Sequence, residues 1–468
     1  MGLDLAIRNG TVATASDTFQ ADIGIAGGRV AVIGADIGKA EKEIDATDLL
    51  VLPGGVDAHC HVDEPAYLNA TLADDFASAT RSAACGGTTT IVSFANQLAG
   101  RSLRDAVTDY HGRAEGKALI DYAFHIILSD VSQAVLGQEM PALMADGYRS
   151  FKVFMTYPGY MLDDEKILDV METVHRHDGT VMVHAENGHC IHWITQRLEA
   201  EGRTGLADFQ SSAPAIVERE ATHRAIALAE ITGARVMLVH VSSAEAMEQV
   251  EWARHRGITA MAETCPQYLI DHAAHFHDHG WEPAKYMCSP PPRGGDNADR
   301  LWSGVKLGTF QLLSSDHCPY RFEGPDGKRS QSAGKGDRLD FRHVPPGVPG
   351  LETRLPLLYD QGVAKGRLRL QEFVALTATN PARTYGLYPR KGTLVPGADA
   401  DLALWDTRKP VTIRHDDLHD GCDYTPYEGR EVAAWPVMTL SRGEVAWDRG
   451  WVSNRYGRGQ FLKQSPHS

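Results

Sequence analysis

The chain has 468 residues, 43% hydrophobic and 23% charged, a globular balance that excludes a disordered or fibrous chain. Its 46 Lys and Arg against 61 Asp and Glu give a formal net charge of −15. That argues against general nucleic-acid binding, which runs on phosphate neutralisation.

The first fifty residues predict short strands at Asp4–Arg8, Ala21–Ala26 and Arg29–Ile33, with hairpin turns at Asn9-Gly10 and Gly27-Gly28. From about Leu50, apolar β-type runs alternate with longer helical stretches. Strands are predicted at Leu50–Val56, Thr88–Phe94, Tyr122–Leu128, Ser150–Met155, Thr180–Val183, Arg235–His240, Thr259–Glu263 and Phe310–Ser314. Helices are predicted at Leu72–Ala84, Asp164–His175, Glu218–Thr232 and Ser243–Arg256. Eight strands alternating with helices is the count of a (β/α)8 barrel, with a doubly wound open sheet as the competitor. The segment Arg321–Arg342, rich in Gly, Lys, Asp and Ser, predicts a long loop after the eighth strand. Strand-and-turn character returns at Asp401–Trp405, Val437–Ser441 and Glu444–Trp447. We expect a small β-sandwich domain built from residues 1–52 and 390–468, and a (β/α)8 barrel over 53–389.

The seven Cys are scattered, with no Cys-x-x-Cys pair. Odd number and wide spacing predict reduced thiols. No apolar run reaches the roughly 18 residues of a membrane span, and the first residues carry no basic-then-apolar leader. The expectation is a cytoplasmic protein with neither a membrane nor a nucleic-acid partner.

The polar residues decide between barrel and open sheet. His59 and His61 follow the first predicted strand, and residues two apart in an extended chain point to one side. Both can therefore reach one metal ion, or both can simply be polar groups at a strand end. Lys152 interrupts the apolar run Phe151–Met155, an unusual place for an ammonium. It is either a strand-edge lysine reaching solvent or a functional group. His184 and His240 end two further strands, and Asp316 follows the eighth. One such His is ordinarily structural. Four His, one Lys and one Asp at the ends of five strands point to a barrel mouth, where such folds place catalytic groups. A desolvated lysine can react with CO2, and the resulting carbamate has two oxygens able to bridge two ions.

The segments Val51-Leu52-Pro53-Gly54-Gly55-Val56-Asp57-Ala58-His59-Cys60-His61, Gly86–Val92, His184-Ala185-Glu186-Asn187, Glu263–Leu269, Cys288–Arg293, Ser315–Pro319 and Gly350–Arg354 together resemble the cyclic amidohydrolases. The resemblance is strongest to the dihydropyrimidinase/hydantoinase branch and spans nearly the whole chain. It implies two Zn2+ per subunit. His59 and His61 would bind one, His184 and His240 the other, N6-carboxylated Lys152 would bridge them, and Asp316 would contact the first and shuttle a proton. Tyr157 would hydrogen-bond the reacting carbonyl, and Ser289 and Pro346 would hold the cyclic amide through their backbones. The implied reaction is attack of a metal-bridging hydroxide on a dihydropyrimidine or 5-substituted hydantoin, opening it to an N-carbamoyl amino acid. The resemblance also implies a homotetramer, or a homodimer.

Three residues depart from that pattern. Pro346 stands where the branch often has Asn, so a backbone donor is lost. Glu64 stands where an apolar residue is usual; an acidic group at the pocket mouth either favours a polar or cationic substituent or simply faces solvent, and an isolated Glu is expected to face solvent. Ser93 replaces a usual Asp. Tyr67, Phe94, Tyr160 and Met161 are candidates to line the substituent pocket, or to pack as surface lids. Allantoinase, or another cyclic-amide hydrolase with a more polar pocket, is the alternative enzyme, and a non-catalytic assembly homologue the alternative class. Dihydroorotase is disfavoured, because Asp63 occupies the place of an expected Arg.

Overall fold

Two sheets organise the chain in the computed structural model, which describes residues 2–68, 70–270, 272–333 and 339–466. The first is formed by β1 (Leu3–Ala13), β2 (Thr18–Ala26), β3 (Arg29–Gly34), β4 (Ala40–Asp45) and β5 (Leu50–Pro53) from the N-terminal part. The second is the parallel barrel β6 (Gly55–Cys60), β7 (Thr88–Asn96), β8 (Asp121–Ile127), β9 (Ser150–Phe154), β10 (Thr180–His184), β11 (Val236–Leu238), β12 (Ala260–Thr264) and β13 (Leu312–Leu313). The chain then returns to the first sheet through β14 (Leu402–Asp406). A two-stranded ribbon, β15 (Val411–Thr412) with β16 (Glu431–Val432), intervenes. The first sheet is completed by β17 (Trp435–Ser441), β18 (Glu444–Asp448) and β19 (Trp451–Val452). Both ends of the chain thus share one nine-stranded sheet, with β5 between β1 and β14.

One predicted turn and one predicted strand differ in the structure. Asn9-Gly10 is not a hairpin but a bulge inside β1: the pairing with β2 slips between Ile7 and Gly10, and Asn9 has φ 62°. Asp22 accepts the Asn9 N–H at 2.8 Å, and a Cβ at Gly10 would lie 2.5 Å from Val51 Cγ2, so the chain kinks where only glycine fits. The predicted strand Leu50–Val56 is two strands. Leu50–Pro53 pairs with β1 and β14, while the barrel begins at Gly55.

The barrel closes between its first and last strands. Asp316 N–H donates to His59 O at 3.0 Å, and His61 N–H donates to His317 O at 2.7 Å. Its strands are buried on both faces, as parallel strands covered by helices must be. Along β10, Val181 and Val183 pack outward, while Met182 joins Val56, Val92, Phe94 and Met237 inside. The surrounding helices are amphipathic. Helix Asp164–Arg176 buries Ile167, Val170, Met171 and Val174, a 3–4 spacing, and Asp163 caps it. The first helix begins at Phe76 rather than Leu72, because Asp75 accepts the N–H groups of Ala77 and Ser78. The predicted loop Arg321–Arg342 contains a short helix, Lys328–Ala333, and its residues 334–338 lie outside the described residues. No helix of the described residues is long and apolar enough to cross a membrane.

Two buried ionic groups tie the parts together. Arg354 reaches across the barrel floor to the carbonyls of Val56 and Leu313 (3.0 and 3.1 Å) and to Asp57 at 3.5 Å. Lys391 meets Asp121 of β8 at 2.6 Å, Asp399 at 3.0 Å and Asp401 at 2.7 Å.

Candidate active site

The six residues predicted as metal ligands sit on or just after five barrel strands, whereas Ser289 and Pro346 lie outside any strand or helix. In β6, Val56 and Ala58 face the barrel interior, whereas Cys60 packs outward. The alternation breaks where pairing with β7 slips, between Asp57 and Cys60. Such a slip re-aims side chains. Lys152, between outward Phe151 and Val153, projects into the barrel. His184 ends β10, and His240 and Asp316 follow β11 and β13 on left-handed backbone, with φ 39° and 48°. Tyr157, after β9, is also left-handed at φ 68°. Non-glycine residues held in that region mark places where the surroundings enforce a conformation the chain does not favour.

The geometry brings the groups together. Asp316 Oδ1 lies 3.3 Å from His59 Nε2 and 3.4 Å from His61 Nε2. The His184 and His240 ring centroids are 4.5 Å apart, and those of His59 and His240 are 5.3 Å apart. Lys152 Nζ stands 5.3 and 5.2 Å from the rings of Phe94 and Phe154. Tyr157 lies 5.0 Å from His184, centroid to centroid, and the Ser289 hydroxyl donates to Glu186 at 3.2 Å. A cavity of about 120 Å³ is lined by Lys152, Tyr157, His184, His240, Ser289, Asp316 and Pro346 among others. Tyr67 and Tyr160 also line it. Phe94 does not: it is fully buried beneath the His59 and His61 rings, at 4.9 and 4.8 Å. Met161 stands exposed on the surface.

A carboxylate backs three of the four imidazoles. His59 Nδ1 hydrogen-bonds Glu263, His61 Nδ1 lies 2.7 Å from Glu64, and His184 Nε2 lies 2.8 Å from Glu186. This arrangement fixes ring orientation and tautomer in metal-binding histidines. Sequence reasoning missed Glu186 and Glu263 as partners, although both lie in quoted motifs, and it placed Glu64 in solvent. Glu64 instead turns inward, because the free Nδ1 of His61 offers a donor that water would otherwise have to satisfy.

The electrostatics follow from burial. Burial pushes the Lys152 ammonium down to about 8, partly offset by Glu263 and Asp316. Burial also lowers His61, but Glu64 and Asp316 outweigh it and raise His61 to about 9. Against burial, the charges of His59, His61 and Lys152 hold the Asp316 carboxyl below its ordinary value. Glu263 is pushed up to about 8, chiefly by burial.

These residues fit divalent ions. One ligand atom from each of His59, His61 and Asp316 falls within 4.8 Å of the others. His59 Nε2 and His240 Nδ1 are buried without a hydrogen-bond partner among the described residues. Leaving such an atom unpaired costs about 1–3 kcal/mol, and a cation is the partner these atoms lack. Nitrogen and carboxylate donors suit zinc and similar ions.

Residues 50–446 match the amidohydrolase family, and the chain belongs to it. Membership implies a binuclear metal centre. The chain is 42% identical over 463 residues to a D-hydantoinase of Ralstonia pickettii, covering 99% of each. A solved D-hydantoinase structure superposes with TM-score 0.95 at 42% identity, over 100% of both chains. The dihydropyrimidinase of Brevibacillus agri NCHU1002 superposes with TM-score 0.95 at 39% identity, over 99% of each. The chain therefore sits in the hydantoinase/dihydropyrimidinase branch of the family, with its barrel and β-rich sheet.

Proposed function

We propose that this enzyme hydrolyses the cyclic amide of a 5-substituted hydantoin or a dihydropyrimidine, releasing an N-carbamoyl amino acid. The observation that carries the reading is the convergence of His59, His61, Lys152, His184, His240 and Asp316 at one barrel mouth, beside a cavity sized for a small ring. In this reading His59, His61 and Asp316 would hold one Zn2+ and His184 and His240 the other, with N6-carboxylated Lys152 as an anionic ligand shared by the pair. The lowered pKa of Lys152 supports that modification: more free amine is present at neutral pH to form the N–C bond with CO2, releasing one proton.

When bound, the ions supply a water activated at neutral pH and a Lewis acid for the ring carbonyl. The protein's own residues do the rest. Tyr157, whose phenol burial holds well above its ordinary value, stays protonated and donates to the carbonyl oxygen as charge develops. The backbones of Ser289 and Pro346 hold the cyclic amide; Pro346 contributes only a carbonyl acceptor. Asp316, kept ionised, accepts the proton of the attacking water and delivers it to the leaving ring nitrogen.

The same reading divides the chain into a β domain of residues 1–52 and 390–468 and a catalytic barrel of 53–389, supported by the membership of the two sheets, with β5 ending at Pro53. Seven free cysteines support a cytoplasmic setting. An assembled form, a homotetramer or homodimer, is what the family resemblance implies.

Ring opening by zinc-loaded protein of dihydrouracil, 5-substituted hydantoins, allantoin and dihydroorotate tests the proposal. Turnover of a hydantoin or dihydrouracil is expected. Turnover of allantoin alone, or of none, overturns it.

A further inference from the structure

The cavity wall away from the six ligand positions is neutral except at one place. It presents Tyr67, Tyr160 and Tyr320, and the carboxylate of Glu64. Glu64 is only 13% exposed, and it is the one charged residue in that wall outside the ligand set among the described residues. Its Oε1 faces His61 Nδ1; its Oε2 has no hydrogen-bond partner among the described residues. Asn96 Nδ2 donates to the Tyr160 hydroxyl at 2.9 Å and fixes that ring in the wall of the same cavity. Burial is the main reason that the Tyr160 and Tyr320 phenols lie above their ordinary value, so both present neutral hydroxyls to the cavity they share with Glu64.

A half-engaged carboxylate among aromatic rings is a poor host for an apolar substituent and a good one for a cation. An alkyl group would strip water from Oε2 without replacing its hydrogen bond. An ammonium or guanidinium would restore that bond as a charge-assisted one and lie against electron-rich ring faces. An anionic substituent would meet a like charge at short range. We propose that Glu64 is a specificity residue that selects cyclic amides whose ring substituent ends in a cationic group. The proposal rests on the hydantoin-opening reading above and names its substrate class.

The test compares the hydantoins of lysine and ornithine with alkyl isosteres in which a methyl replaces the ammonium, using the metal-loaded full-length enzyme. The hydantoin of glutamate serves as the like-charge control. The wild-type kcat/KM is expected to favour each amine over its isostere by about tenfold or more, mainly through KM, and to be lowest for the glutamate compound. Glu64→Gln keeps an acceptor for His61 while removing the charge. It is expected to erase most of the amine preference whatever it does to turnover of both compounds. Calorimetric binding of the N-carbamoyl lysine product should weaken in parallel. Equal kcat/KM for amine and isostere in the wild type, or an unchanged ratio in Glu64→Gln, overturns the role of Glu64 while leaving the reaction standing. Failure of every hydantoin to open overturns the reaction and this proposal with it.

Discussion

Glu263, in β12, hydrogen-bonds Nδ1 of His59, in β6, across the barrel mouth. The same Oε1 accepts the His240 N–H at 3.2 Å, and Ser314 donates to Oε2 at 3.0 Å. One carboxylate therefore orients one proposed ligand and anchors the backbone of another. Glu263→Gln should fold and lose about 10- to 100-fold in metal affinity. Competition with a chromogenic chelator measures this, and wild-type affinity in the variant would show that Glu263 is only structural.

Lys152 supplies a second prediction. Lys152→Ala should lose most activity and bind fewer metal ions, and short carboxylic acids should partly restore both. Full activity without added acid would refute a bridging carbamate.

How much of this was legible in the chain depends on range. His59, His61, His184, His240 and Asp316 were readable because each sits next to a strand-like apolar run, a signal confined to about six residues. Lys152 was readable because an ammonium in such a run is out of place. The two-strand nature of Leu50–Val56 was not legible, since both halves are equally apolar and only their partners, β1 and β14 against β7, tell them apart. Glu64 was misplaced for a similar reason. Its inward turn is set by His61, and no periodicity encodes it. Asp57 and Arg354, nearly 300 residues apart, pair at 3.5 Å through closure of the barrel, which sequence spacing alone cannot supply.

His125 makes the stability pH-dependent. Its Nδ1 lies 2.5 Å from the Ser150 hydroxyl and its Nε2 is 3.0 Å from Ala58 O, an arrangement made for neutral imidazole. Burial pushes it down to about 3, against an ordinary value of 6.5. Above pH 6.5 it is neutral in both states and contributes no slope. As pH falls from 6.5 towards 3, the unfolded chain takes up a proton that the folded chain refuses, so stability falls. Denaturant midpoints measured across that window should decline less steeply in His125→Gln, by about one proton's worth of slope. Parallel curves would sink the assignment.

Lys391 is a buried cation shared by Asp121, Asp399 and Asp401. Lys391→Met should destabilise by about 3–5 kcal/mol, because it leaves carboxylates buried without their shared charge. Urea unfolding checks this, and a loss below about 1 kcal/mol would show that Arg390, 2.8 Å from Asp399, and Arg442, 3.1 Å from Asp121, balance the cluster unaided.

Tyr157, His240 and Asp316 all stand on backbone that glycine adopts freely and other residues resist. Each such position costs on the order of 1 kcal/mol or more, out of a typical folding margin of about 5–15 kcal/mol. Glycine at these three places would relieve that strain but would empty the space the three side chains fill and enlarge the freedom of the unfolded chain, so it would stabilise nothing and leave nothing to offer a substrate. The strain is thus held in place by the packing of the same side chains that face the reacting ring.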